Sequence, residues 1–296
     1  MLKYNHMKSD TRYIDTHAHL NINAFAGDWR AVIDRCAEEG VVVINVGTQQ
    51  DTSKKAVEIA QETDNGYAII GLHPVHTSAS YHDESELGEN MKGFTSRGEV
   101  FDTEFYRALA TSSKKVVAIG ECGYDYYHLS SDTKLVQEAA FIAQIKLANE
   151  LDLPLMIHTR DAKGNQASSK AEAGVGNVYD DTYATLKQYA KVPGNIHFYA
   201  GNWEQAKKFL ELGFTISFTG VITFARDYEE VVMKAPLNMI HGETDCPYVA
   251  PVPYRGKRCE PLMVTEVYKK IAVIKGVDEE VVREQLLQNA RWLYKL

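Results

Sequence analysis

The chain has 296 residues, 45% hydrophobic and 24% charged, with 20 Gly and 8 Pro, a composition that excludes collagen-like, low-complexity and wholly disordered chains. Lysine and arginine number 32 against 40 aspartates and glutamates, a net charge of −8, which argues against a protein that coats nucleic acid by neutralising many phosphates; any phosphate it meets must be held by local cations. The four cysteines, Cys36, Cys122, Cys246 and Cys259, form no Cys-x-x-Cys pair, so neither a zinc ribbon nor a disulfide framework is indicated and a reducing compartment is the simpler reading.

The first residues, MLKYNHMKSD, lack an apolar h-region, and no apolar run approaches the ~18 residues needed to cross a bilayer, so a soluble cytoplasmic protein is expected. Residues 1–11 read as a short N-terminal extension. Beyond them, short apolar or β-branched runs alternate with longer segments of helical period, the mark of parallel βα units. Strands are predicted near Tyr13 to Asp15, Val41 to Val46, Tyr67 to Ile70, Val116 to Ile119, Leu155 to Ile157, Asn195 to Phe198, Phe214 to Phe218 and Leu237 to Ile240. Eight is the number that closes a TIM barrel.

Between these runs, Trp29, Val32, Ile33, Cys36 and Ala37 make an i, i+3, i+4 stripe that stops at Gly40, and Val57, Ile59 and Ala60 precede Asn65-Gly66, both reading as helices that end just before a strand. Leu135 to Leu151 is the longest helical segment, with Ser131 or Asp132 as its N-cap and Pro154 leading the next strand. Two aperiodic polar stretches, 77–98 and 164–181, look like elaborated loops after strand ends. No linker divides the chain, so the expectation is a single (β/α)8 TIM-barrel domain over 1–296, of the α/β class.

His17 and His19 in YIDTHAHL lie two apart at the end of the first strand, where a period of two puts both on one face. Glu121 follows VVAIG, His158 follows LPLMI, His197 sits in NIHFYAG and Asp245 in MIHGETDCP; each is at or just past the end of a different strand, and in a parallel barrel those ends converge on one mouth. Imidazoles and carboxylates are costly to bury unless paired or metal-bound. Four His, a Glu and an Asp exceed the needs of one tetrahedral ion, and Glu121 is central enough to bridge two, so two divalent cations are inferred. Such a pair clamps the attacking and leaving oxygens of a displacement and acidifies water, which is hydrolysis without a protein nucleophile. Ligand chemistry fits Zn, Mn, Co or Fe, with Mg possible. His73 in IIGLHPVH lies beside the same mouth, where it could bind substrate or adjust a ligand.

The ordered set THAHL, GLHP, GECGYDY, LPLMIHTRDA, HFYAG, GETDCPY, PVPYRGKRCEP and LLQNARWLY resembles the TatD family of metal-dependent hydrolases, among the amidohydrolase-like barrels, from about Tyr13 to Tyr294. The resemblance implies a TIM barrel, a divalent-metal site and a 3′ to 5′ exonuclease or related deoxyribonuclease activity. It also implies that His17, His19, Glu121 and Asp245 hold one ion, that Glu121, His158 and His197 hold the other, and that Asp245 is the general base. The run His197-Phe198-Tyr199-Ala200-Gly201 departs from the family's usual Cys-Phe after this His and bears on substrate size.

Arg255, Lys257 and Arg258 form a compact basic cluster in an acidic chain and could anchor substrate phosphate, while Tyr124, Tyr126 and Tyr127 could offer faces for bases, at least two of them being expected in core or rim packing. The leading expectation is a metal-dependent deoxyribonuclease with single-stranded DNA ends as its substrate and no membrane or obligate protein partner. The alternative is a small-molecule amidohydrolase or lactonase that uses the same metals. An inactive metal-stabilised binding module would lack a ligand or the base, and none is missing.

Overall fold

The computed structural model describes residues 10–82, 94–127, 133–162 and 177–296. The chain lays down β1 (Tyr13–Ala18), β2 (Val41–Val46), β3 (Gly66–Ile70), a small antiparallel pair β4 (Ser80–His82) and β5 (Phe94–Ser96), then β6 (Val116–Asp125), β7 (Leu155–Arg160), β8 (Gly194–Ile196), β9 (Thr215–Phe218) and β10 (Ile240–Gly242). All but β4 and β5 form one parallel eight-stranded sheet whose spatial order follows the chain. The segment after β10 returns to β1: Ala18 bridges Cys246, Asp245 N–H donates to the His17 carbonyl at 2.9 Å and His19 N–H to the Cys246 carbonyl at 3.0 Å. The result is a nearly closed barrel.

Helices α1 (Trp29–Glu38), α2 (Gln50–Glu62), α3 (Thr103–Thr111), α4 (Lys134–Leu151), α5 (Val178–Tyr189), α6 (Trp203–Glu211), α7 (Glu229–Lys234), α8 (Val264–Lys275) and α9 (Glu279–Tyr294) occur among the described residues. The pattern in β2 shows how the layers separate. All six residues of VVVINV are buried, as expected of a strand covered on both sides. Val41 and Val43 join the outer cluster with Val32, Ile33 and Cys36 of α1. Val42, Ile44 and Val46 face the other way and pack with Ile14, Ile69, Val117 and Met156 and with Leu287, Leu293 and Tyr294 of α9.

Several boundaries differ from the sequence reading for identifiable reasons. Leu237–Met239 is a 3-10 turn, not a strand: Met239 N–H donates to the Pro236 carbonyl at 2.9 Å, and Asn289 of α9 donates to the carbonyls of Leu237 and Ile240, both at 2.8 Å. Those carbonyls are therefore taken by a helix, and the strand begins at Ile240. Strand β8 stops at Ile196 because Phe198 adopts φ +43°. Conversely β1, β6 and β7 run on past their apolar cores, so His17, Glu121 and His158 lie inside strands.

In the stretch 77–98, a 3-10 turn ends at Thr77 and β4 pairs with β5. Of 164–181, the described end is helical: α5 starts at Val178, with the Asn177 side chain accepting from Tyr179 N–H at 2.9 Å and Asp180 N–H at 3.3 Å. Ser131 and Asp132, proposed as caps, lie outside the described residues, as do residues 1–9. No helix among the described residues is long and apolar enough to cross a membrane.

His241 in β10 is fully buried, its Nε2 3.0 Å from Thr215 Oγ1, and burial lowers its pKa to about 4. The unfolded chain then binds one more proton between the unfolded value near 6.5 and the folded value. The contribution is complete above pH 6.5 and is lost as pH falls towards 4. That loss is about 3 kcal/mol. Urea unfolding of His241→Gln at pH 7 and pH 4, in chelator, should show a pH-dependent loss smaller than the parent's by about this amount; equal losses would contradict the assignment.

Candidate metal centre

Two strand irregularities aim the central side chains. Between Asp15 and Ala18, β1 takes three residue steps against two from Val43 to Asn45 in β2, and between Ile119 and Cys122, β6 takes three against two from Leu155 to Ile157 in β7. Such bulges bend a strand and re-aim a side chain; here they contain His17 and Glu121. In β7 the alternation is regular, with Leu155 and Ile157 in the outer cluster and Met156, His158 and Arg160 on the other face. Gly123 lets β6 and β7 close up above Glu121: its φ is +143°, and a Cβ there would lie 2.1 Å from the His158 carbonyl oxygen.

All six residues expected to hold metal come together, and His73 joins them. Glu121 is the meeting point. Its Oε2 lies 3.3 Å from His17 Nε2, while Oε1 lies 2.7 Å from His158 Nδ1, 2.8 Å from His197 Nε2 and 3.3 Å from His73 Nε2. On the first side, Asp245 Oδ1 is 3.3 Å from His19 Nε2 and 3.7 Å from His17 Nε2, and the two Nε2 atoms are 3.1 Å apart. Among the described residues, triplets within reach of a single ion are His17, His19 and Glu121; His73, Glu121 and His158; and His17, His197 and Glu243.

The outer nitrogens decide whether these donors suit a cation. His19 Nδ1 lies 2.8 Å from the Val46 carbonyl and His158 Nε2 3.1 Å from Asp125 Oδ2. Each outer partner draws the ring proton outward and leaves the inner nitrogen's lone pair for a metal, the arrangement typical of metal-ligating histidines. His197 Nδ1 lies 3.4 Å from Glu243 Oε1 without a hydrogen bond, and its Nε2 faces Glu121. His73 is the reverse case: its Nδ1 accepts Val75 N–H at 3.2 Å, so its proton sits on Nε2 and points at Glu121. Burial and the nearby His158 push its pKa down to about 4, and the ring is a neutral donor.

Electrostatics keep the carboxylates ionised. Burial alone would raise Glu121, but the surrounding imidazoles of His197, His73 and His17 and the contact with His158 outweigh it and hold the group well below the usual range. Asp245 is likewise lowered, burial being overcome by its bond to His19 and by His17, His19 and His197. Asp245 also has φ +55°, a left-handed conformation that aspartate tolerates.

Sequence reasoning missed the supporting carboxylates Asp125, Glu243 and Asp15. Glu243 Oε1 accepts Phe198 N–H at 2.6 Å, bracing the left-handed residue beside His197. Asp15 accepts Thr244 N–H at 2.9 Å, Thr244 Oγ1–H at 2.5 Å and His17 N–H at 3.2 Å, tying the turn that carries Asp245 to the strand that carries His17. Strand spacing could have flagged Asp125, four residues from Glu121, and Glu243, two from Asp245.

The basic cluster is placed differently. Arg258 Nη1 and Nη2 reach the Asp28 carboxylate at 3.0 and 2.6 Å, Nη2 also reaches Glu260 at 3.0 Å, and the guanidinium lies over Phe25. Its charge is already paired with carboxylates. Arg255 donates to the Ala250 carbonyl at 3.0 Å and lies over Phe224, and Lys257 lies over Tyr254. No contact joins the three to the histidines.

A parallel barrel with a buried nest of imidazoles and carboxylates at its mouth is the architecture of metal-dependent hydrolases with amidohydrolase-like folds. The chain belongs to the TatD family: the profile described as TatD related DNase matches residues 14–295. Its relatives include YabD of Bacillus subtilis (strain 168), 34% identical over 95% of this chain and 98% of that one. YcfH of Escherichia coli (strain K12) is 31% identical over 96% of each. Both are named uncharacterized metal-dependent hydrolases. The crystal structure of YjjV, a TatD homolog from Escherichia coli K12, is similar with a TM-score of 0.76 and 26% identity, covering 97% of this chain and 99% of that one. A TatD family hydrolase from Entamoeba histolytica, 22% identical, has the same fold at a TM-score of 0.75, covering 96% and 98%.

Removing the Asp15 carboxylate strands three buried donors at once, each costing about 1–3 kcal/mol when unpaired. Asp15→Ala is expected to lower the unfolding free energy by about 3 kcal/mol and to weaken metal binding on the His17–His19 side. Denaturant titration and metal titration check this, and a variant as stable as the parent would remove Asp15 as the tie between β1 and the Asp245 turn.

Proposed function

We propose that the protein is a divalent-metal-dependent deoxyribonuclease that removes nucleotides from the 3′ ends of single-stranded DNA. The observation that carries the reading is Glu121, whose two oxygens face two separate groups of inward-directed imidazoles in a chain of the TatD family. Two cations are proposed, one with His17, His19, Glu121 and Asp245 and one with Glu121, His158 and His197. Cations held there supply Lewis-acid polarisation of the scissile phosphate and acidify the attacking water.

The chain's own groups do the rest. Asp245, ionised and partly exposed at the mouth, orients the water and takes its proton as the oxygen attacks phosphorus. The bond from phosphorus to the 3′ oxygen breaks, and that oxygen stays on the shortened strand and takes up the proton that Asp245 received from the water. His73, through Nε2–H, donates to Glu121 or to a phosphoryl oxygen. Arg255 and Lys257 supply cationic charge towards more distant phosphates. The four cysteines are buried thiols, in keeping with a reducing cytoplasm.

A second reading, hydrolysis of a small amide, ester or lactone, draws support from the net charge of −8 and from the pairing of Arg258 with Asp28 and Glu260. The test is end-labelled single-stranded DNA beside a panel of esters, lactones and amides, with the protein stripped by chelator and reloaded with Mg, Mn, Co or Zn. Stripping should abolish turnover and reloading restore it to different degrees. Asp245→Asn keeps an oxygen for the ion but loses the base; turnover on DNA should fall at least about a hundredfold while metal occupancy falls only in part. Full activity in demonstrably metal-free protein, or a variant within a few-fold of the parent, would contradict the mechanism.

A further inference from the structure

Of the three tyrosines that follow Glu121, two belong to the core. Tyr124 is buried with its hydroxyl 3.0 Å from Thr185 Oγ1, and Tyr126 is buried against Asp181. Tyr127 lies at the rim, half-buried, and the Arg160 guanidinium carbon sits 3.9 Å from its ring centroid. Arg160 ends β7 two residues after His158, and these two are the part-exposed positions of an otherwise buried strand. The regular alternation puts both on the face that looks into the mouth, with Arg160 about 6.6 Å further up the strand than His158.

The position is rigid. Arg160 pairs with Asp125 in the β6–β7 register, and its carbonyl accepts Tyr126 N–H at 2.7 Å. Its guanidinium also differs from those of the arginines held in ion pairs. Arg30, Arg35, Arg97, Arg107, Arg258 and Arg283 each reach a carboxylate. Among the described residues no carboxylate pairs with Arg160, although acidic residues outnumber basic ones. A guanidinium stacked on an aromatic ring leaves its N–H edge for a phosphate, and the fork geometry suits two phosphate oxygens.

We infer that Arg160, held against Tyr127, is a subsite for the phosphate adjoining the scissile one in a single-stranded nucleic acid. The inference rests on the nuclease reading above. It assigns the phosphate next to the scissile one a path across the ends of β6 and β7, over the Asp125–His158 pair, and leaves Arg255 and Lys257 for phosphates further along, Arg258 being engaged by Asp28 and Glu260. A one-phosphate substrate would not reach it.

The test compares the metal-loaded parent with Arg160→Ala and Arg160→Lys. Stopped-flow anisotropy of a fluorescein-labelled eight-residue oligothymidylate reads binding before hydrolysis, and kcat/KM is measured on the same oligonucleotide and on thymidine 5′-(p-nitrophenyl phosphate), which carries one phosphodiester. Arg160→Ala should bind the oligonucleotide at least about tenfold more weakly. Its slope of log affinity against log salt should fall by about 0.7, the release expected for one single-strand phosphate. Its loss of kcat/KM should be several-fold greater on the oligonucleotide than on the one-phosphate ester. Arg160→Lys should keep the salt slope while losing part of the affinity, because the charge remains and the fork does not. A parent that binds and cleaves DNA alongside an Arg160→Ala variant of equal affinity and slope would overturn the subsite alone. A parent that neither binds nor cleaves the oligonucleotide would overturn the nuclease reading and the subsite with it.

Discussion

Glu121 gives each of its two oxygens to a different set of imidazoles, and most of the mouth of the barrel is arranged to make that possible. A carboxylate buried to this depth is stable as an anion only if opposite charge, strong donors or a cation surround it. His17 stands on one side and His73, His158 and His197 on the other. The strand irregularity around Glu121 turns the side chain inward at the required height, and Gly123 admits the neighbouring strand closely enough for His158 to reach it. A regular β6 would send Glu121 to the face that packs against helices, where no partner waits.

The same constraint explains the carboxylates that do not face the centre. Imidazoles crowded to within 3.1–3.4 Å of one another would repel if all were charged; the Val46 carbonyl and Asp125 fix where the ring protons of His19 and His158 reside, so that lone pairs converge. Left-handed backbone at Phe198 and Asp245 costs on the order of 1–3 kcal/mol per residue, and it is sustained by bonds to those two segments: Glu243 receives Phe198 N–H, and Asp245 N–H meets the His17 carbonyl. The barrel seam thus closes where the site needs its first and last strands together.

Much of the barrel is readable in the sequence because parallel strands buried on both sides are continuous apolar runs, and VVVINV or VVAIG carries little ambiguity. The eighth strand is the exception, because LNMI is also apolar and only Asn289 of a distant helix shows which carbonyls are already taken. The metal-binding residue types are legible for a related reason: a polar ionisable group at the end of each apolar run is costly without a purpose. Register irregularities are not legible, since they are properties of two strands at once. The pairing of Arg258 with Asp28 spans 230 residues of chain, and a local cluster of cations could not reveal it. A single arginine such as Arg160 carries no sequence pattern, and only the fold shows that it stands above His158 on β7.

The central claim is that one carboxylate serves two ions. Metal analysis of the purified protein after exhaustive dialysis, together with calorimetric titration of Mn or Zn into stripped protein, tests it most directly when parent and Glu121→Gln are compared. The account predicts two ions per chain in the parent, and affinity lost at both sites in Glu121→Gln, by at least about tenfold each, with the fold intact by circular dichroism. A parent that binds a single ion, or a Glu121→Gln variant that holds two as tightly as the parent, would contradict it.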